Sequence, residues 1–203
     1  MAAGAGRRSQ AGLALWSALC ALLACASAVA WLAGGSDRLV WRADDWLVRP
    51  WTLWSASWVH RSAAHWLANL LALAAIAVLG QSLRAGRAQV LALLTAWPLA
   101  TLALLCWPEV RAYYGLSGLI HAAVGVLCVH LARTAFTHPL TLSLLAGLVV
   151  KLALEQGWAH PIGFDDAWGF NVVYVAHLIG AMAGLLCGAL WSGDWARRPA
   201  TVP

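Results

Sequence analysis

Tyr114-Gly115-Leu116-Ser117-Gly118-Leu119-Ile120-His121 and, further along, His177-Leu178-Ile179-Gly180-Ala181-Met182-Ala183-Gly184 decide how this chain is read. Each lies in an apolar run long enough to be buried in lipid, and each carries a side chain fit for nucleophilic or proton-transfer chemistry. Ionisable groups are costly at that depth, so one there is a functional hypothesis by default. Ser117 alone is weak evidence, because Gly115, Ser117, Gly118, Ala122 and Gly125 are also the small residues that close packing of membrane helices uses. His177 adds weight. It shares a helical face with Gly180 and Gly184 at i, i+3 and i+7, so the residues that draw its helix against a partner also aim the imidazole at that partner. Serine and histidine so placed are the parts of a nucleophile–base pair. A lone membrane histidine is also suited to binding haem or a metal, or to a proton path.

Composition agrees with a membrane setting. Of 203 residues, 62% are hydrophobic and only 10% charged, with 14 tryptophans; soluble domains carry about 25% charged residues. Apolar segments recur along the whole length, which predicts an all-α polytopic bundle forming one domain, 1–203. A span needs roughly 20 apolar residues, and six are expected, near 11–33, 64–80, 89–107, 115–133, 139–157 and 172–192. Trp107-Pro108 ends the third, and His138-Pro139 opens the fifth, proline being tolerated in a first turn. Six spans put Arg7, Arg8, Arg84, Arg87, Arg133, Arg197 and Arg198 on the side of the termini, opposite Arg38, Arg42, Arg49, Arg61 and Arg111. The positive-inside rule then favours cytoplasmic termini. Arg7-Arg8 with the following apolar core and Ala28-Val29-Ala30 also resembles a signal peptide, but the core is long for one, and a retained helix is expected.

The formal charge of +5 comes from arginines scattered among loops, the pattern of topology signals rather than of a nucleic-acid surface. Cys20, Cys25, Cys106, Cys128 and Cys187 show no zinc or disulfide spacing and read as small core- or lipid-facing residues. The loop near 34–63 should lie along the membrane surface, with Trp51, Trp54 and Trp58 on one helical face at the headgroup level. The loop near 158–171 sets Gly157, Gly163 and Gly169 beside Trp158, Phe164, Trp168 and Phe170, which suits either a movable cover or an ordinary interfacial loop.

His65-x-x-x-Asn69 puts two donors on one helical face. They are suited to stabilising an oxyanion, or to a plain interhelical hydrogen-bond pair. His121, four residues after Ser117, rivals His177 as base; His177 is preferred because a base on a separate helix approaches the hydroxyl without the constraints of a shared one, leaving His121 to support it. His60 reads as structural. Lys151 and Glu155 read as an i, i+4 pair snorkelling to the interface, and Asp165 and Asp166 as solvated loop charges. His130, His138 and His160 receive no catalytic role.

Together, His60-x-x-x-x-His65-x-x-x-Asn69, Gly115-x-Ser117-Gly118 and His177-x-x-Gly180-x-x-x-Gly184 resemble, in order, the three signatures of the rhomboid family of intramembrane serine proteases. The resemblance implies a six-helix core with Ser117 as nucleophile and His177 as general base, and His65, Asn69 and the Ser117 backbone N–H as oxyanion donors. It implies no metal or organic cofactor. Trp51-Thr52 stands where many rhomboids have Trp-Arg, and His121 where many have a tyrosine stacked on the catalytic histidine. With Tyr114 through His121 and a short chain, the sequence looks like the rhombosortase branch. That branch implies single-span substrates with a C-terminal tail of a Gly-Gly motif, an apolar helix and a basic end, cut at the outer face of a bacterial cytoplasmic membrane. The rival readings are a general rhomboid protease with other single-span substrates, a non-catalytic rhomboid-like client binder, and a haem or metal carrier using His65, His121 and His177. Nothing in the sequence specifies an oligomeric state.

Overall fold

Long apolar runs with no water to satisfy their backbone must close their hydrogen bonds within each segment, which leaves helices as the open solution. The computed structural model describes residues 2–192 apart from 167, with side chains from Gly12 onward. Its helices are α1 (Ala2–Leu32), a short α2 (Thr52–Ser55), α3 (Ala63–Ser82), α4 (Arg87–Ala103), α5 (Ser117–Ala135), α6 (Pro139–Glu155) and α7 (Tyr174–Trp191). Among the described residues, five segments, Gly12–Leu32, Ala63–Ser82, Arg87–Cys106, Ser117–Ala135 and Tyr174–Trp191, are long and apolar enough to cross a membrane. The expected fifth span corresponds to α6, which has 17 residues, about 25 Å of helix against a hydrocarbon core of about 30 Å.

Capping explains several boundaries. The Ser62 hydroxyl accepts from the His65 N–H and starts α3, which fixes His65 in its first turn. The His138 ring accepts from the Leu140 N–H and Pro139 follows, so α6 opens as a proline-started helix. Two small antiparallel ribbons depart from a purely helical chain: β1 (Trp41–Arg42) pairs with β2 (Ala112–Tyr113), and β3 (Gly163–Asp165) with β4 (Phe170–Val172). Strands this short have no alternation to read; tertiary ties create them.

With lipid on one side and protein on the other, helix association rests on packing and hydrogen bonds rather than on expulsion of water. Small residues bring α5 and α7 together: a Cβ on Gly184 would lie 2.0 Å from the Ala122 carbonyl oxygen, and one on Gly125 2.7 Å from that of Ala181. The Trp16 indole of α1 covers Gly80 of α3 and donates to the Ile76 carbonyl at 3.3 Å. Trp31 stacks on Trp66 with centroids 5.2 Å apart. Leu22, Val29, Leu71, Val78, Leu154, Leu186 and Leu190 point outward, forming the apolar exterior that lipid covers.

The arginines segregate to two ends. At one, Arg133 donates to the Ser192 carbonyl at 2.9 Å, and the His130 ring joins the Leu83 carbonyl at 2.9 Å and the Gln89 amide at 3.1 Å. At the other, Arg61 pairs with Asp37 and lies over the Tyr114 ring, and Arg49 pairs with Asp45. Arg197 and Arg198 lie outside the described residues, as do the side chains of Arg7 and Arg8.

The shared tryptophan face expected in the first loop does not form. Trp51 and Trp54 remain at the surface, but α2 gives way to a tight 3₁₀ turn, and Trp58 packs edge-on against Trp97, whose indole donates to Ser57 at 3.0 Å. Thr52 is fully buried, its hydroxyl donating to the Arg49 carbonyl at 2.7 Å.

Candidate active site

The approach to Ser117 is held on both sides. Tyr113 pairs with Trp41 across the first ribbon, and the Gly115 N–H donates to the Ala56 carbonyl at 3.0 Å. The Tyr113 hydroxyl donates to the Gly115 carbonyl at 2.9 Å and is hydrogen-bonded to the Gly118 backbone. Gly115 has φ +111°, a conformation that side-chain-bearing residues rarely adopt, and a Cβ there would lie 3.0 Å from the His65 ring. Glycine thus turns the chain and lets the His65 imidazole rest on the backbone. Ser117 follows as the first residue of α5, so its N–H is among the donors that a helix start leaves without an intrahelical partner.

Against this turn, α7 approaches through glycine. A Cβ on Gly180 would lie 2.1 Å from the Gly118 carbonyl oxygen. One turn earlier, His177 Nε2 lies 2.9 Å from Ser117 Oγ. The His121 ring stacks on that of His177, with centroids 4.4 Å apart and planes within 10°. His121 Nδ1 donates to the Ser117 backbone carbonyl at 2.8 Å, not to its hydroxyl. His177 Nδ1 lies 2.9 Å from each carboxylate oxygen of Glu155, and Lys151 Nζ lies 2.8 Å from Glu155 Oε1.

Ser117, His177, His121, His65 and Asn69 all line one cavity of about 230 Å³. A second, of about 260 Å³, reaches Ser117 and His65 from the side of Arg111, Tyr114 and Phe170. Asn69 is buried and its amide donates to His60 Nε2 at 3.0 Å. His60, itself buried, donates through Nδ1 to the Trp58 carbonyl at 3.2 Å. Burial, with His65 nearby, pulls the His60 pKa from 6.5 down to about 4, so the ring is neutral and free to accept from Asn69. His65 Nδ1 is buried and has no hydrogen-bond partner among the described residues.

The second ribbon covers this region. Trp168 and Phe170 pack on the His65 ring at 5.8 and 5.1 Å between centroids. Asp165 is not the solvated loop charge expected: it is half-buried and accepts from the Tyr174 hydroxyl at 3.3 Å.

Lys151–Glu155 also departs from the expectation of a snorkelling pair. The ion pair exists and Lys151 is 55% exposed, but Glu155 is only 9% exposed because α6 is rotated to turn its last residue toward α7. The i, i+4 spacing gave Glu155 a local partner and so hid the distant one. The signal available was the carboxylate itself, an ionisable group in an apolar helix.

The family model of the Rhomboid domain matches residues 48–193. The chain belongs to the rhomboid family. No curated protein matches it. Membership together with the apolar helices makes it a multi-pass membrane protein of a lipid bilayer, and rhomboids are generally intramembrane serine proteases. The rhomboid match runs from before α2 to the end of α7 and so includes every residue lining the cavity.

Proposed function

We propose that this rhomboid is an intramembrane serine protease working through Ser117 and His177, with α6 crossing the membrane as the fifth of six spans. The contact of 2.9 Å between Ser117 Oγ and His177 Nε2 carries the reading. Ser117 Oγ attacks the scissile carbonyl carbon as its proton passes to His177 Nε2. The tetrahedral intermediate collapses by breaking the C–N bond, and His177 returns the proton to the leaving amine. Water then attacks the acyl-enzyme by the same proton route. The oxyanion would take donors from the Ser117 N–H, His65 and Asn69. The partnerless His65 Nδ1 supports that role, since a buried polar group without a partner is costly until something bonds to it.

A helical peptide keeps its carbonyls in internal hydrogen bonds, so the substrate must unwind locally at the cut. Small, helix-weakening residues lower that cost. This fits a single-span tail with a Gly-Gly motif, the substrate class of the rhombosortase branch, cut at the outer face of a bacterial cytoplasmic membrane, with cytoplasmic termini.

His121, Glu155 and His177 also bring ligand atoms within 4.8 Å of one another. A metal there would take one ring nitrogen of His177 and displace its bond to either Glu155 or Ser117, whereas the protease reading uses both, so the protease reading fits the geometry better. Co-expression with a protein bearing a Gly-Gly tail tests it: the mass of the new C-terminus should show a cut at the tail that Ser117→Ala and His177→Ala both abolish. A cut that persists in Ser117→Ala would refute the reading.

A further inference from the structure

A carboxylate in an apolar setting is costly unless donors and an opposite charge surround it. Glu155, on the last turn of α6, has Lys151 Nζ at 2.8 Å and His177 Nδ1 at 2.9 Å from both of its oxygens. An i, i+4 pair with Lys151 forms on one helix face and needs no third group. The structure instead turns Glu155 away from the exterior and onto the histidine whose ring reaches the Ser117 hydroxyl. We propose that Glu155 is a positioning residue for His177, extending the Ser117–His177 pair to a Ser–His–Glu triad; this rests on Ser117 being the nucleophile.

An ionised carboxylate only accepts hydrogen bonds. Nδ1 facing it therefore carries the ring proton, and the lone pair falls on Nε2, 2.9 Å from the hydroxyl. That is the tautomer a base needs. With two oxygens at equal distance from Nδ1, the ring is also held against rotation. Lys151 Nζ sits at 2.8 Å against the carboxylate charge, and the carboxylate faces Nδ1 of the imidazolium that forms when Nε2 takes the Ser117 proton. His121, fixed by its bond to the Ser117 carbonyl, closes the other face of the ring. The groups around His177 are thus Ser117 and His121 from α5, Glu155 and Lys151 from α6, His65 from α3, Tyr174 on α7 and Asp165 of the covering ribbon.

The test is the rate of fluorophosphonate labelling of the full chain in detergent, across about pH 5 to 9, for wild type, Ser117→Ala, Glu155→Gln and Glu155→Asp. In Glu155→Gln the amide donates to Nδ1 and the ring takes the opposite tautomer. Labelling should fall by about 10²- to 10⁴-fold. Glu155→Asp keeps the charge and should recover part of the rate. Labelling of Glu155→Gln within threefold of wild type overturns the triad while leaving Ser117 in place. Should Glu155→Gln fail to fold, the ¹⁵N spectrum of His177 in the wild type decides: a proton on Nδ1 supports the triad, and one on Nε2 overturns it. Wild type that does not label, or Ser117→Ala that does, overturns the nucleophile and the triad together.

Discussion

Gly180→Ala puts one methyl group into the closest contact between α5 and α7. Its Cβ would stand 2.1 Å from the Gly118 carbonyl oxygen, a backbone atom two bonds into the turn that follows Ser117. Neither helix offers a flexible side chain to move, so α7 must withdraw by about 1.3 Å to reach ordinary contact at 3.4 Å. His177 lies on the same face one turn away and withdraws with it. The Ser117–His177 contact of 2.9 Å would then open to roughly 4.2 Å, beyond the reach of proton transfer at about 2.6–3.2 Å. A displacement of that size costs about 10²-fold or more in rate, and overpacking costs about 1–3 kcal/mol of stability. Fluorophosphonate labelling followed in time, beside thermal unfolding in the same detergent, measures both. Gly147→Ala is the control, because a Cβ at Gly147 meets nothing within 4 Å. Gly180→Ala labelling within threefold of wild type would refute the claim that this glycine sets the distance between the two reacting groups.

Two further outcomes follow from the same geometry. His121→Ala removes a stacking partner worth about 0.5–1.5 kcal/mol and should slow labelling by roughly two- to tenfold, with His121→Phe recovering most of the rate; complete loss in both would make His121 the base. His60 is held neutral when folded, with its pKa down at about 4 against 6.5 when unfolded. Its contribution is therefore intact above about pH 6.5 and lost as pH falls toward about 4, by up to roughly 3 kcal/mol. Thermal midpoints measured down that range should fall less in His60→Gln than in wild type; parallel curves would contradict the assignment.

How much of this was legible in the chain varies from residue to residue. The face shared by His177, Gly180 and Gly184 follows from helical period alone, and their burial against Gly118 and Ala122 needs only that small residues pack closely. The caps at Ser62 and His138-Pro139 are likewise local chemistry. What escaped depends on rotations that no local pattern encodes. Glu155 has a lysine one turn away, and only the roll of α6 reveals that it faces His177. Trp58 shares a nominal face with Trp51, yet the pull of Trp97 and Ser57 winds the chain into a 3₁₀ turn. The ribbons beside Ser117 and over His65 are two or three residues deep, too short to announce themselves.

The histidine that faces the Ser117 hydroxyl belongs to α7, in chain order the last of the long helices among the described residues. A serine hydroxyl without an adjacent base is a poor nucleophile. On the proposed mechanism, the serine is therefore inert during synthesis until α7 has inserted. Ripening of the centre waits on that insertion, and a chain caught before it in a crowded translocation site poses little threat to the proteins beside it.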